Sequence, residues 1–361
     1  MENAVRKVDI PSEVEGLTAT WLTAAFNLKF PGTIVDSALH ELRIAGAGTK
    51  VRLRLSYTRN PHDLPSVVWA KGGWEPHSAS ARAMGIYARE AQFYSEWASL
   101  ISIKAPASYF SAWQGDGDGL VLMEDIPYSG GTMWDGRVTR SVDDVASLID
   151  SLASLHALRW RDPTLAEDHR VSLPVCSTGP LSEWAIANGG ERVRQIMAGP
   201  RAEGLPQSVR DGGRIEAAFW KMVRQVEAGT DYCLLHADPH PGNCYTTADG
   251  AAGLYDWQTL SRGPWAHDIS YSVVTALEPA DRRIAERDLL IHYLDCLKKH
   301  GCRQVPKFTD AWDEYRRYIA MPLFIWPTNH VSHQPEDVIR ALTFRLGMAA
   351  ADFDFFSLWD V

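Results

Sequence analysis

The stretch Tyr232-Cys233-Leu234-Leu235-His236-Ala237-Asp238-Pro239-His240-Pro241-Gly242-Asn243, followed by Gly253-Leu254-Tyr255-Asp256-Trp257-Gln258, decides how this chain reads. An apolar strand runs into a loop that carries an aspartate and, five positions on, an asparagine. A second short apolar strand then delivers another aspartate.

Phosphoryl transfer from ATP needs parts of this kind: one carboxylate to orient or deprotonate the attacking hydroxyl, and an amide oxygen plus a second carboxylate to hold Mg2+. Asn243 and Asp256 offer the hard oxygen ligands that magnesium prefers. Asp238 shares its loop with Asn243 and is placed to face the acceptor. A competing reading takes His236, Asp238 and His240 as a transition-metal cluster, because alternating His and Asp are familiar ligands. Pro239 and Pro241 flank His240, however, and no further His/Asp motif completes such a site.

Upstream, Leu39 to Tyr57 reads as two strands around the small-residue turn Arg43 to Lys50, with Val51, Leu53 and Leu55 alternating against Arg52, Arg54 and Ser56. A short strand, Ser66 to Lys71, ends on a lysine. Apolar side chains at near-helical spacing (Met84, Tyr87, Ala91, Tyr94, Ala98) predict one helix over Ala79 to Leu100, with Glu90 in its middle. Strands Ser108 to Trp113 and Leu120 to Met123 follow, and Pro127 to Gly131 marks a linker. Beyond it the pattern becomes helical. Val142 to Leu158 is amphipathic behind a Ser141 N-cap with Asp144 three residues on. Further helices are predicted over Leu181 to Met197, Arg214 to Glu227, Pro279 to His300, Thr309 to Ile325 and Pro335 to Ala351. His156, on the apolar face of its helix, reads as a hydrogen-bonded structural histidine.

A chain of 361 residues exceeds what one core usually serves, so two lobes are expected, divided as residues 1–125 and 126–361. A net charge of −9 argues against nucleic-acid binding, which needs a basic surface. The N-terminal residues lack the apolar core of a signal peptide, and the longest apolar run, Tyr318 to Trp326, is too short to span a bilayer. Five scattered cysteines without a CxxC pair read as free thiols in a reducing compartment. These features together predict a cytoplasmic protein.

The set His236-Ala237-Asp238 with Asn243, then Asp256-Trp257-Gln258, then His267-Asp268, preceded by Lys71, Glu90 and Leu120 to Asp125, resembles the aminoglycoside phosphotransferase and choline kinase-like superfamily. The resemblance covers Leu39 to Leu277. It implies an α+β, protein-kinase-like two-lobed fold, with a β-rich N-lobe and a mainly α-helical C-lobe. It further implies ATP and Mg2+ as cofactors and a small-molecule hydroxyl acceptor. Carried over by residue, Asp238 is the catalytic base, and Asn243 and Asp256 are the magnesium ligands. Lys71 grips the nucleotide phosphates through an ion pair with Glu90. Gly46, Gly48 and Thr49 form the turn over the phosphates, and the Glu124 carbonyl and Ile126 amide meet the adenine edge. Asp268 braces the catalytic loop.

Three departures stand out. The turn lacks the full GxGxxG of protein kinases, Ala237 replaces a common glycine, and Gln258 replaces the glycine of a DFG motif, with no APE motif after it. A protein kinase is not expected. Asp256-Trp257-Gln258 and the helical insert look nearer the ecdysteroid-kinase-like branch. Antibiotic, choline-like, sugar-like and steroid-like acceptors all remain open, with Trp257, Trp265 and Trp326 as candidate acceptor walls. The alternative is a nucleotide-binding pseudokinase or regulatory module.

Overall fold

A computed structural model describes residues 8–45, 48–76, 78–115, 117–167, 173–176 and 185–361. The chain divides into two compact units. The first comprises residues 1–100, 105–131 and 256–258, and the second comprises residues 101–104, 132–255 and 259–361.

The first unit is built on five antiparallel strands: β1 (Ile34–Ile44), β2 (Thr49–Arg59), β3 (Val67–Gly72), β4 (Ser108–Trp113) and β5 (Gly119–Glu124). Their order is β1-β2-β3-β5-β4. Along β2 the predicted alternation holds. Val51, Leu53 and Leu55 are buried with Leu22 and Phe26 of α1 (Ala19–Asn27), while Arg52 and Arg54 turn outward to pair with Glu41. Arg52 also holds Asp125 at 2.7 Å, and Asp125 in turn accepts from the Tyr128 amide. These two contacts fix the chain just beyond β5.

The single helix expected over Ala79 to Leu100 is in fact broken. It forms α2 (Ser78–Ala83) and α3 (Ile86–Gln92), followed by a π-helical turn Phe93–Trp97. The break is at Gly85, whose φ of 69° is left-handed and open to glycine without a steric penalty. Apolar periodicity runs on across the break, which is why spacing alone does not reveal it. Trp257, stacked on Phe93 with ring centroids 3.7 Å apart, is fully buried in this unit.

The second unit is mainly helical. α4 (Val142–Leu158) begins at the predicted residue, and its capping box is complete: Ser141 Oγ accepts from the Asp144 amide, and the Asp144 carboxylate accepts from the Ser141 amide. Then come α5 (Glu191–Ala198), α6 (Gly212–Ala228), α7 (Ala266–Ala276), α8 (Pro279–Lys299), α9 (Phe308–Arg317), α10 (Ala320–Thr328), α11 (Glu336–Asp352) and α12 (Phe355–Leu358). The expected helix Thr309 to Ile325 is thus two, α9 and α10, parted at Tyr318 and Ile319. The expected helix Leu181 to Met197 is also interrupted: residues 185–188 are helical, Gly190 with a left-handed φ of 62° breaks the run, and α5 follows, while residues 181–184 lie outside the described residues. Two small antiparallel sheets complete the unit. One pairs β6 (Thr132–Met133), β8 (Cys244–Thr246) and β9 (Ala252–Leu254), and the other pairs β7 (Cys233–Leu235) with β10 (Ser261–Gly263). Among the described residues no helix is long and apolar enough to cross a membrane.

Candidate functional site

In the first unit, Lys71 lies at the penultimate position of β3, with its side chain almost wholly buried beside Glu90 of α3. Its Nζ is 2.7 Å from Glu90 Oε2 and 2.8 Å from Asp256 Oδ1. Burial alone would discharge the ammonium, but Asp256 and Glu90 outweigh it and hold Lys71 above the ordinary lysine range. A buried lysine without such partners would be costly. With them it is a fixed, charged donor.

Asp256 itself has a φ of 66°, a conformation that Asp tolerates better than most residues. Lys50 Nζ approaches its other oxygen at 3.8 Å. Lys50 is not among the residues that sequence reasoning selected. The signal for it is register, since Lys50 on β2 sits directly across from Lys71 on β3 and therefore shares its face.

An added Cβ at Gly48 would come within 2.9 Å of the Gln258 side-chain amide, which would have to move aside, and 3.6 Å of the Lys71 stem. Thr49 is fully buried and directs its hydroxyl toward Glu75 at 3.4 Å. Gly46 lies outside the described residues. Glu124 closes β5, pairs its backbone with Ala107 and uses its carboxylate to accept from the Ala107 amide. Ile126 follows in the turn that Gly131 closes with a hydrogen bond to the Ile126 carbonyl.

In the second unit the loop after β7 is held from beneath by Asp268 of α7. Its fully buried carboxylate accepts the backbone amides of His236 at 2.8 Å and Ala237 at 2.9 Å. His156 of α4 donates to the same carboxylate at 3.3 Å, and its other ring nitrogen accepts from the Tyr293 hydroxyl at 2.7 Å. Burial pushes the Asp268 carboxyl up, yet the hydrogen bond from His156, with His267 and His236 nearby, brings it below the usual aspartate range. His267 donates to the Ala237 carbonyl at 3.0 Å, which secures the other side of the same residue.

Asp238 projects from this braced loop with both carboxylate oxygens engaged. Oδ1 accepts from the Tyr271 hydroxyl at 2.8 Å, and Oδ2 accepts from Asn243 Nδ2 at 3.0 Å. The same Asn243 amide nitrogen reaches the Asp238 carbonyl at 2.9 Å, so the amide's orientation is set and its oxygen is the end left to act as a ligand. The Tyr271 hydroxyl also accepts from Trp326 Nε1 at 2.7 Å. Burial first, then the Asp238 charge, pushes the Tyr271 phenol well above its ordinary range, so it stays a proton donor. Tyr271, like Lys50, is a side chain of these clusters that sequence reasoning did not select. A usable signal existed, because it follows Asp268 by three positions in α7 and faces the same loop.

The transition-metal reading of this loop fails on geometry. His236 spends one ring nitrogen on the Tyr255 carbonyl and the other on the Asp238 amide, while His240 accepts from the Gly242 amide. Of the three tryptophans considered as acceptor walls, Trp257 is core of the first unit, Trp265 stacks on Tyr293, and Trp326 backs Tyr271 and meets His240 edge-on. Phe219 and Phe324, stacked 4.9 Å apart, are fully buried core.

Residues 77–318 match the profile of a phosphotransferase enzyme family. The chain belongs to that family. Among solved structures, a candidate aminoglycoside phosphotransferase from Ralstonia eutropha shares 13% identity over 93% of this chain and 97% of its own, with a TM-score of 0.52. This similarity shows that the family member has the kinase-like fold. A microcompartment-associated aminopropanol kinase (15% identity, 91% and 94% covered, TM-score 0.49) and an aminoglycoside phosphotransferase from Streptomyces rimosus (16%, 86% and 97%, TM-score 0.47) are also similar. Among curated proteins, none matches.

Proposed function

We propose that this family member is an ATP- and magnesium-dependent kinase that phosphorylates a hydroxyl of a small molecule, with Asp238 as the base. The observation that carries the reading is the engagement of Asp238. Its two oxygens are aimed by Tyr271 and Asn243, and its loop is anchored at consecutive amides by Asp268. A loop residue of purely structural use has no need of such positioning.

The donor set suits magnesium and nucleotide. Asn243 would offer an amide oxygen and Asp256 a carboxylate, both hard ligands. Lys71, held by Glu90, would meet phosphate oxygens, and the bare backbone at Gly48 leaves room for a close approach. Glu124 and Ile126 would meet the adenine edge through their backbone groups. Magnesium-bound ATP supplies the γ-phosphoryl group. Asp238 orients the acceptor hydroxyl and takes its proton as the new oxygen–phosphorus bond forms and the bond to the β-phosphate oxygen breaks.

The acceptor is read as an uncharged or mixed-polarity hydroxylated compound rather than a polycation. The sequence from Arg161 to Asp231 carries no dense acidic cluster of the kind a polycation would favour, and Asp231 and Glu286 are paired with Arg161 and Arg282. ATP consumption measured over a panel of hydroxylated small molecules, with and without Mg2+, tests the proposal. At least one acceptor should yield a phosphorylated product detectable by mass, and only with Mg2+. A panel that binds nucleotide but never produces a phosphorylated compound would favour a pseudokinase instead.

A further inference from the structure

Away from the catalytic loop, α4 and α8 bring together three side chains of different chemistry. Asp150 Oδ1 of α4 lies 2.8 Å from His292 Nε2 and 3.0 Å from Cys296 Sγ, both on α8, and that sulfur is 3.7 Å from the same imidazole nitrogen. The spacing of His292 and Cys296, four residues apart, puts both on one helical face. We propose that Asp150, His292 and Cys296 form a zinc site that ties α4 to α8.

The geometry separates this from a nucleophile relay. In a Cys-His-Asp relay the acid holds one ring nitrogen and the sulfur meets the other. Here the carboxylate and the sulfur both meet Nε2, so the three donor atoms converge on one point. Sulfur, imidazole nitrogen and a carboxylate oxygen together suit Zn2+ and exclude Mg2+ or Ca2+, which take oxygen donors. Tetrahedral zinc with bonds of about 2.0–2.3 Å spaces its ligands about 3.3–3.6 Å apart. The observed separations need to change by less than about 1 Å to meet that.

Access is also in place. The Asp150 and His292 side chains are 58% and 35% exposed, while Cys296 is buried beneath them. Solvent can thus deliver the ion and supply the fourth ligand. On binding, the zinc–sulfur bond replaces the sulfur–hydrogen bond and the proton leaves to solvent, with no change of oxidation state. The site would clamp helices that matter to the loop, because the neighbour of His292, Tyr293, holds His156 of α4, which holds Asp268.

The full chain, reduced and metal-free, is titrated with Co2+ as a spectroscopic probe and then with Zn2+. One equivalent of Co2+ should give a thiolate-to-cobalt absorption band, which Zn2+ then displaces. Cys296→Ala should abolish the band, and His292→Asn should weaken binding at least tenfold. Zn2+ should also raise the Tm of the unaltered chain but not that of His292→Asn. A band that persists in Cys296→Ala, or an equal Tm rise in both proteins, would overturn the site. Absence of one-equivalent binding would overturn it too. None of these readouts depends on phosphoryl transfer.

Discussion

Two clusters in this protein solve the same problem, fixing a charged side chain in place, by different means. In the first unit Lys71 is held by two carboxylates, Glu90 and Asp256, each within 3 Å. In the second unit Asp238 takes hydrogen bonds from two neutral donors, Tyr271 and Asn243, with His240 Nε2 3.6 Å from Oδ2, on a loop whose anchor, Asp268, grips backbone amides. The difference fits the roles proposed for the two residues. A residue that grips phosphate must stay charged throughout, and carboxylate partners enforce that. A residue that exchanges a proton with an acceptor must be aimed without being locked into one protonation state by a counter-ion.

The contrast is broken most directly at Asp238. Asp238→Asn keeps the shape but removes the proposed base, so turnover should fall by roughly 10²–10⁴-fold. Nucleotide binding, measured by calorimetry, should be unchanged. Near-normal turnover would show that the loop is not where the proton goes. Removing an anchor rather than the base gives a different signature. Asp268→Asn leaves two buried amides and His156 with a poorer acceptor and should cost about 2–3 kcal/mol in denaturant unfolding.

That loss carries a pH dependence. Because the folded-state pKa of Asp268 is depressed, its stabilising contribution is present above the unfolded aspartate value of about 3.9 and disappears as pH falls through the lower folded value. The gap between wild type and Asp268→Asn should therefore be full at neutral pH and narrow only in that acid range. A gap that stays unchanged through that acid range would show that Asp268 is not the titrating group.

A smaller effect is expected at Tyr271. Tyr271→Phe deletes one donor to Asp238 and leaves Trp326 Nε1 without its acceptor. It should lower kcat about tenfold, equivalent to about 1.4 kcal/mol, and leave nucleotide affinity alone. A loss of nucleotide affinity with kcat intact would assign Tyr271 to the wrong side of the comparison.

These two clusters were unequally legible. Lys71 at a strand end, Glu90, and the Asp238, Asn243 and Asp256 spacing all sit within short motifs, where residue type and order carry the information. Lys50 and Tyr271 enter through pairing across strands and along a helix face, which only a register or a helix phase exposes. Breaks in helices were legible only where composition changed. The capping box at Ser141 marked the start of α4, whereas Gly85 split a helix without interrupting its apolar periodicity. Trp257 illustrates the opposite error. Adjacency to Asp256 suggested an acceptor wall, but its ring is packed flat against Phe93 in the core.

Each cluster also keeps one residue in left-handed backbone, Asp256 with φ 66° and Ala237 with φ 68°, and the smallest expected effect lies there. Asp adopts this region comparatively easily, whereas Ala is strained by about 1–2 kcal/mol. Ala237→Gly relieves that strain but loses a buried methyl worth about 0.8 kcal/mol and frees the unfolded chain by about 0.4–1 kcal/mol. The terms nearly cancel, so unfolding should shift by less than about 1 kcal/mol. The amide bond to Asp268 and the carbonyl bond from His267 use backbone only, so turnover should be retained. Ala237→Val, branched at Cβ in the same conformation, should cost more than about 2 kcal/mol. If glycine and valine behave alike at this position, the loop is relaxing away from the left-handed turn, and the anchoring by Asp268 is weaker than its two short hydrogen bonds indicate.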